Sequence, residues 1–144
     1  MPRAYASGII QAPVEKVWSL LREFNALPSW HSGIESSDIV EGTDGVCGCV
    51  RTLGLGGDAS VSERLVALDD RSRTTTYTFT DPGPFAVRSY FATVRAVPVT
   101  TDGSTFVEWY ADFEAAAEDE QQLTETFAGG VFAGGIADVA AHFA

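Results

Sequence analysis

The run SERLVALDD places a carboxylate, Glu63, among apolar residues that recur at alternate positions. Such alternation is typical of a strand with one buried face, and it puts Val61, Glu63 and Leu65 on the same face. A buried carboxylate is costly unless it is paired, and burial raises its pKa towards the range used in general acid/base catalysis. Glu63 is therefore a candidate base. The alternative is an ion pair with Arg51 on the neighbouring strand, which would hold the hairpin together and keep the pKa low.

The same alternation sorts the side chains of other strand-like runs. Those that we expect to point inward with Glu63 are Arg51, Leu53, Leu55, Tyr77, Phe79 and Tyr90. A tyrosine hydroxyl can donate a hydrogen bond to a carbonyl group or accept one through water. Tyrosines, carboxylates and an arginine amid Phe and Leu would suit acid/base chemistry such as enolisation or dehydration. The alternative is that the aromatic residues are only core.

The run FVEWYADF contains Glu108, and either of its two sets of alternate residues could face the interior. If Glu108 points inward with Phe106 and Tyr110, a further carboxylate enters the interior and Trp109 lies outside. The opposite parity buries a more apolar set, namely Val107, Trp109, Ala111 and Phe113. A β-bulge would reconcile the two assignments by re-aiming one residue. We take Glu108 as a candidate catalytic residue.

A third group lies in PSWHSGIE, where Pro, Ser and Gly forbid a long helix. Trp30 is expected to be a lid or wall of a cavity. His31 is a candidate acid at its mouth, although an exposed or rim-packed imidazole is the commoner outcome. Glu35, at the start of the next strand, is a second candidate base.

The chain carries no nucleophile elbow, phosphate-binding loop or zinc signature. Its two histidines are His31 and His142, and Cys47 and Cys49 are one residue apart without a second ligand pair. We therefore expect no metal and no cofactor.

The elements that must position these residues follow from hydrophobic spacing. Apolar steps of three and four predict a helix over residues 13–24, followed by at most a short helical turn. Residues 34–115 contain turn signals between short β-rich runs, which predicts six strands in an antiparallel meander. A further strand, RAYASGIIQ, precedes the first helix, and a long helix is predicted over residues 118–143.

The long helix contains Gly129, Gly130, Gly134 and Gly135. Four interior glycines cost about 4 kcal/mol of helix propensity relative to alanine. One interpretation is that the missing side chains leave room for a ligand between helix and sheet. The other is close packing or a bend.

Composition limits the class of protein. With 144 residues, the chain is predicted to be one domain, residues 1–144. Its net charge of −11 would repel nucleic acid and anionic lipid surfaces. No apolar run is long enough to insert into a membrane, and the N-terminus lacks the features of a signal peptide. We expect a cytoplasmic protein, either a monomer or a homodimer.

A strand, two short helices, a six-strand meander and a long final helix follow the helix-grip order. The chain thereby resembles the START/Bet v 1-like (SRPBCC) superfamily, in particular its polyketide cyclase-like branch and, more distantly, the plant abscisic acid receptors. The resemblance is carried by PVEKVWSLLREFNALPSWHSGI, CGCVRTL, SERLVALDD, VRSYFATV and FVEWYADF. It implies an α+β fold, in which a seven-stranded curved antiparallel sheet wraps around the C-terminal helix and leaves a mostly apolar cavity.

The resemblance also bears on the candidate site. Glu63, Tyr90 and Glu108 match positions that form a polar, water-linked network in the receptor cavity. Glu35 replaces the lysine that holds the hormone's carboxylate, so an acidic ligand would be repelled and a neutral or cationic one favoured. LGLGGDAS and DPGPFAVRSY replace the receptors' gate and latch segments, so hormone binding is not carried over.

Two functions are considered for a small hydrophobic or aromatic partner molecule. The first is cofactor-independent cyclisation, dehydration or related lyase chemistry, with Glu63 or Glu35 as base and Tyr90 or His31 as acid. It is favoured because several ionisable groups are expected to converge on one cavity. The second is a carrier or sensor in which the same groups only orient the ligand. The candidate ligand-binding residues are Trp30, Arg51, Leu53, Leu55, Tyr77, Phe79, Arg88 and Phe132.

Overall fold

Seven strands form one antiparallel sheet in the order β1-β7-β6-β5-β4-β3-β2. The computed structural model describes residues 1–144. Its strands are β1 (Arg3–Ile10), β2 (Ser36–Glu41), β3 (Val50–Gly56), β4 (Ala59–Asp69), β5 (Thr74–Asp81), β6 (Val87–Pro98) and β7 (Thr105–Ala115). Strands β2 to β7 pair in sequence as a meander, and β1 joins the far edge beside β7. The predicted helix-grip sheet is confirmed.

The first helix is shorter than the sequence predicts. Helix α1 is Val14–Leu21, with Pro13 as its N-cap, whereas the hydrophobic spacing extended it to residue 24. Phe24 instead begins a 3₁₀ helix, Phe24–Ser29, which is the short helical turn that was expected. Leaving the α-helical stripe lets the Phe24 ring pack near Tyr77, with 6.5 Å between ring centroids.

The terminal helix has three consecutive segments, which are α2 (Glu120–Thr126), a π-helical segment (Phe127–Ala133) and α3 (Gly134–His142). It begins two residues later than predicted and ends one residue earlier. Its π segment, which hydrophobic spacing does not reveal, packs against β1 and β7. None of the chain's helices combines the length and the apolar character that a bilayer crossing requires.

The glycines of the terminal helix do not make room for a ligand. Gly129 and Gly130 face solvent, and a Cβ at either position would meet nothing within 4 Å. At Gly135, by contrast, a Cβ would lie 2.5 Å from Cζ3 of Trp109 and 2.8 Å from Cδ2 of His31. Close packing at Gly135, together with the π-helical winding, is therefore the interpretation that the structure supports.

The substitution Gly135→Ala is expected to destabilise the protein by about 1–3 kcal/mol, the usual range for overpacking a core. Gly130→Ala, in the same helix but in open space, is expected to stabilise it by about 0.5–1 kcal/mol because alanine has less backbone entropy to lose. Urea unfolding of the two variants measures both changes. Stabilisation by Gly135→Ala would contradict the close packing.

Candidate functional site

An apolar cavity lies between the inner face of the sheet and the terminal helix. Its free volume for water-sized groups is about 40 Å³, enough for about three water molecules. Of its fourteen lining residues only His31 and Glu63 are not hydrophobic. The lining consists of Leu27, His31, Ile34, Leu53, Leu55, Val61, Glu63, Tyr77, Phe79, Phe85, Tyr90, Trp109, Phe127 and Val131. The predicted inward residues Leu53, Leu55, Glu63, Tyr77, Phe79 and Tyr90 are all among them.

Glu63 and Arg51 form a buried ion pair. They face each other in the register of β3 and β4, and Glu63 is 4% exposed. Arg51 donates from Nε and Nη2 to the same carboxylate oxygen, Oε1, at 3.0 and 2.7 Å. The sequence left this pair as the alternative to a free base, and the structure shows that it forms.

Burial nevertheless raises the pKa of Glu63, and the charge and hydrogen bonds of Arg51 offset only part of that shift. The expectation that the pair would keep the pKa low is therefore wrong. Two charges removed from water in this way cost desolvation free energy that their attraction does not fully return.

Arg51 also joins the sheet to the 3₁₀ helix. Its Nη1 donates to the carbonyl oxygen of Phe24, and its guanidinium lies 3.8 Å from the centroid of the Phe24 ring. It borders a second, smaller chamber beyond Leu27, Tyr77 and Trp109, and it does not line the cavity itself. Arg51 therefore orients the Glu63 carboxylate from the side that faces away from the cavity.

Two tyrosine hydroxyls lie near the carboxylate. Trp109 donates from Nε1 to the Tyr77 hydroxyl at 3.0 Å, which fixes that ring from the β7 side. Burial raises the pKa of Tyr77 and of Tyr90 well above the ordinary tyrosine value, and the negative charge of Glu63 adds to both shifts. Both groups therefore stay protonated at neutral pH and can donate a hydrogen bond to a ligand oxygen.

His31 is buried in the cavity wall, being 3% exposed, and is not a rim residue. Its Nδ1 lies 3.0 Å from the backbone nitrogen of Gly33, which donates to it. Its Nε2 lies 2.8 Å from the carbonyl oxygen of Val131, in the π segment. Because Nδ1 accepts the Gly33 N–H, Nε2 is the ring nitrogen that donates to the carbonyl oxygen of Val131 in the helix. The arrangement gives His31 a structural role and leaves no free proton for the acid role considered from the sequence.

Phe85 separates the cavity from a surface cleft. Its ring stacks at 6.0 Å on Phe79 and lies 5.1 Å from Phe127, both of which line the cavity. The cleft, about 270 Å³ in volume, lies between the β5–β6 loop and helix α2, and Phe85 lines it as well. One side chain thus belongs to both spaces.

Glu108 and Arg88 lie outside the cavity, contrary to the sequence-based expectation. The inward residues of β7 are Val107, Trp109, Ala111 and Phe113, so Glu108 faces the outer side. This more apolar set is the alternative that the sequence had left open, and no bulge re-aims Glu108. Arg88 is exposed because the pairing of β6 with β7 shifts between Val87 and Ser89, which ends the alternation that buries Tyr90.

Three further candidates also lie outside the cavity lining. Glu35 is exposed, because Ile34 takes the inward position in the loop before β2. Trp30 is half-buried and borders the second chamber, with its ring 6.2 Å from that of Trp109. Phe132 is fully buried behind Trp109, on which it stacks at 5.2 Å.

Other lining residues were not proposed as site residues from the sequence. Leu27, Ile34, Trp109, Phe127 and Val131 come from the 3₁₀ helix, the loop before β2, β7 and the π segment. The more apolar set of alternate residues in β7 includes Trp109, and the apolar spacing of the terminal helix includes Phe127, so both patterns indicated an inward position. Phe85 is in a Pro-Gly-Pro loop, where no periodicity indicates direction.

Sequence and structure comparisons agree with this architecture. The family model described as polyketide cyclase / dehydrase and lipid transport matches residues 1–144. No curated protein matches the chain in sequence. A protein of Thermobifida fusca, solved by NMR, is 30% identical with a TM-score of 0.90, over 99% of this chain and 93% of that chain.

More distant structures share the fold. The Zhui aromatase/cyclase from Streptomyces sp. R1128 is 18% identical with a TM-score of 0.79, over 98% of this chain and 92% of that chain. Norcoclaurine synthase from Thalictrum flavum, solved with dopamine and hydroxybenzaldehyde, is 16% identical with a TM-score of 0.78, over 98% of this chain and 85% of that one. At sequence identities this low, these comparisons show a shared fold and nothing more.

Proposed function

The chain belongs to the polyketide cyclase/dehydrase and lipid transport family, and from this membership we propose that it binds a small aromatic or polyketide-like molecule in its cavity and transforms it by acid/base chemistry. The reaction is a cyclisation, a dehydration or a related lyase step that uses the chain's own side chains. Glu63 is the general base, and the hydroxyl of Tyr77 or Tyr90 is the hydrogen-bond donor to the substrate.

The geometry of the Glu63 carboxylate carries this proposal. Both hydrogen bonds from Arg51 end on Oε1, so Oε2 accepts no hydrogen bond from the protein while Glu63 lines the cavity. Burial raises the pKa of Glu63, which makes its carboxylate a stronger base than an exposed one. An oriented base with a free oxygen in an apolar space is what proton abstraction from carbon needs.

The first step is enolisation. Oε2 of Glu63 takes a proton from the carbon beside a substrate carbonyl, the electron pair of that C–H bond forms a C=C bond to the carbonyl carbon, and the π pair of the C=O bond moves onto the carbonyl oxygen. A tyrosine O–H donates a hydrogen bond to this enolate oxygen, where negative charge develops. In a cyclisation the enolate carbon then attacks a second carbonyl, and the new alkoxide takes the proton from Glu63. In a dehydration the enolate re-forms the carbonyl group, the C–O bond to a hydroxyl group on the next carbon breaks, and that hydroxyl leaves as water with the proton from Glu63. Either route returns Glu63 to its carboxylate form.

The lining and the charge favour neutral or cationic aromatic ligands. Phe79 and Tyr90 stack with 4.0 Å between ring centroids and form an aromatic wall. An ionised Glu63 and a net charge of −11 repel carboxylic acids. The fold likeness to an aromatase/cyclase, and to a synthase solved with two aromatic compounds, supports aromatic ligands.

Ligand entry requires Phe85 to move. Binding sites for drug-sized molecules are about 300–1,000 Å³, far more than the cavity offers with Phe85 in place. Rotation of the Phe85 ring away from Phe79 and Phe127 would join the cavity of about 40 Å³ to the cleft of about 270 Å³. The combined space approaches the lower limit for such a ligand.

The substitution Phe85→Ala is expected to tighten binding of the neutral fluorescent probe N-phenyl-1-naphthylamine by about tenfold, or about 1.4 kcal/mol. The reason is that no ring must be displaced before the probe enters. Fluorescence titration measures the affinity. Phe91→Ala is the control, since Phe91 is on the outer face of β6 and 51% exposed. Equal affinities in the wild type and Phe85→Ala would contradict this route.

A carrier or sensor function is the second candidate, and one observation favours it. Glu63 is the only carboxylate that lines the cavity, because Glu35 and Glu108 lie outside. The sequence favoured an enzyme because several ionisable groups were expected to line one cavity. In the structure these groups are Glu63 and two tyrosines, together with His31. In this alternative, Oε2 of Glu63 accepts a hydrogen bond from a ligand hydroxyl and no bond is broken.

Deuterium exchange separates the two functions without knowledge of the natural substrate. In D₂O, 2-tetralone exchanges the acidic protons between its ring and its carbonyl group, and NMR follows their loss. The enzyme hypothesis expects an exchange rate that increases with protein concentration and saturates with 2-tetralone. Saturable binding of 2-tetralone with no acceleration over buffer would refute the catalytic proposal and leave the carrier.

A further inference from the structure

The second chamber lies beyond the wall formed by Leu27, Tyr77 and Trp109, which line both spaces. Its free volume for water-sized groups is about 20 Å³. One water molecule needs about 10–15 Å³ by this measure. The chamber therefore has room for a single oxygen atom with its hydrogens.

Two of the residues that line this chamber carry a buried polar group with no partner in the protein. These groups are the indole nitrogen Nε1 of Trp30 and the hydroxyl oxygen of Thr75. Thr75 is 7% exposed, on the inner face of β5. A buried donor without an acceptor costs about 1–3 kcal/mol, so two in one small chamber indicate a shared partner.

Arg51 also lines this chamber and has N–H groups that are not donated elsewhere. A guanidinium carries five N–H groups, of which three are donated to Glu63 and Phe24. Two N–H groups of Arg51 are left, and the residue lines the chamber. Its positive charge is already balanced by Glu63, so the chamber favours a neutral acceptor over an anion.

We infer that the second chamber is a binding site for one neutral oxygen atom, held by Trp30, Thr75 and Arg51. In the ligand-free protein the atom belongs to a water molecule, and in a complex a carbonyl or hydroxyl group of a ligand can take its place. A buried water usually makes two to four hydrogen bonds, and these three residues supply that number. The bound oxygen links the residue that follows the 3₁₀ helix to β5.

The substitution Thr75→Val tests this inference, because a bound oxygen and a dry chamber predict opposite changes in the urea midpoint of unfolding. Valine has nearly the shape of threonine but no hydroxyl. If the chamber holds an oxygen, the variant loses a hydrogen bond to it, and its urea midpoint falls. Thr75→Ser, which keeps the hydroxyl, is the control for that bond. If the chamber is dry, valine removes an unpartnered hydroxyl and the midpoint rises. A raised midpoint would overturn the inference.

NMR of the wild type gives a second measurement that needs no stable variant. The chain has three indole N–H groups, and those of Trp18 and Trp109 are donated to Asp70 and Tyr77. Trp30→Phe assigns the third. We expect a cross-peak between the Trp30 indole proton and a long-lived water. Its absence from the ligand-free protein would overturn the inference.

A matched pair of probes identifies the source of the oxygen when a ligand is present. Acetophenone and ethylbenzene share a skeleton, but only acetophenone has a carbonyl oxygen. Loss of the water cross-peak with acetophenone alone assigns the site to a ligand carbonyl. Its persistence with both probes assigns the site to water. Neither result depends on exchange of 2-tetralone, so this inference and the catalytic proposal fail separately.

Discussion

The substitution Glu63→Gln is expected to lower the rate of deuterium exchange in 2-tetralone by about 100-fold or more, within the range for loss of a general base. Glutamine keeps a carbonyl oxygen that accepts the Arg51 hydrogen bonds but has no basic carboxylate. Binding of N-phenyl-1-naphthylamine should therefore persist while exchange is lost. NMR and fluorescence titration measure the two quantities on the same sample.

Two carboxylates outside the cavity provide matched controls for this experiment. Glu35→Gln and Glu108→Gln change the charge of the protein by the same amount as Glu63→Gln, but both side chains lie outside the cavity lining. We expect both variants to exchange 2-tetralone at the wild-type rate. The wild-type rate should rise with pH through the pKa of Glu63, which burial raises above its ordinary value. Full exchange in Glu63→Gln would remove Glu63 from the mechanism.

The substitution Arg51→Met is expected to reduce the free energy of unfolding at pH 7 by about 3–5 kcal/mol, as for other buried pairs that lose one partner. It leaves the Glu63 carboxylate buried with no counter-charge. It also removes the hydrogen bond and the stacking that hold Phe24 to the sheet. Urea unfolding followed by tryptophan fluorescence measures the loss.

The pH dependence and a double variant identify the cause of that loss. Because burial holds the pKa of Glu63 above its unfolded value, stability falls as pH rises through the folded-state pKa. The defect of Arg51→Met should thus be smaller at pH values below the folded-state pKa of Glu63, where the buried carboxyl group is protonated. Adding Glu63→Leu should restore much of the stability, since apolar residues replace buried pairs well. Arg3→Met, which removes an exposed pair with Asp112, should change the stability far less. An equal loss of stability in Arg51→Met, the double variant and Arg3→Met would contradict the conclusion that the unpaired Glu63 carboxylate causes the loss.

Alternation along single strands predicted much of the interior. Leu53, Glu63 and Tyr77 all lie on the inner face because β3, β4 and β5 keep one buried side through the candidate site. The Arg51–Glu63 pair was also accessible from the sequence, since adjacent strands of a hairpin bring inward residues into register. Where a strand alternates regularly, the sequence pattern alone therefore indicates which face of the sheet a side chain occupies.

Features that depend on irregular backbone were not predictable in this way. The bulge at the start of β6 re-aims Arg88, and the π segment supplies the carbonyl that engages His31. Glu108 was misplaced for a different reason. Its strand allowed both parities, and the sum of apolar burial over the whole of β7 decided between them. Phe85 projects from a loop, where only tertiary packing sets its direction.

Strand β1 pairs with β7 alone, so Arg3 meets Asp112 across nearly the full length of the chain. The terminal helix then packs on β1 as well. During synthesis the first strand therefore has no hydrogen-bonding partner until β7, about a hundred residues later, has been made. Closing so long a loop is entropically unfavourable, and such non-local pairing slows folding. The meander from β2 to β7 can form from neighbouring strands, whereas the enclosed cavity arises only when β1 joins β7 and the terminal helix packs on β1.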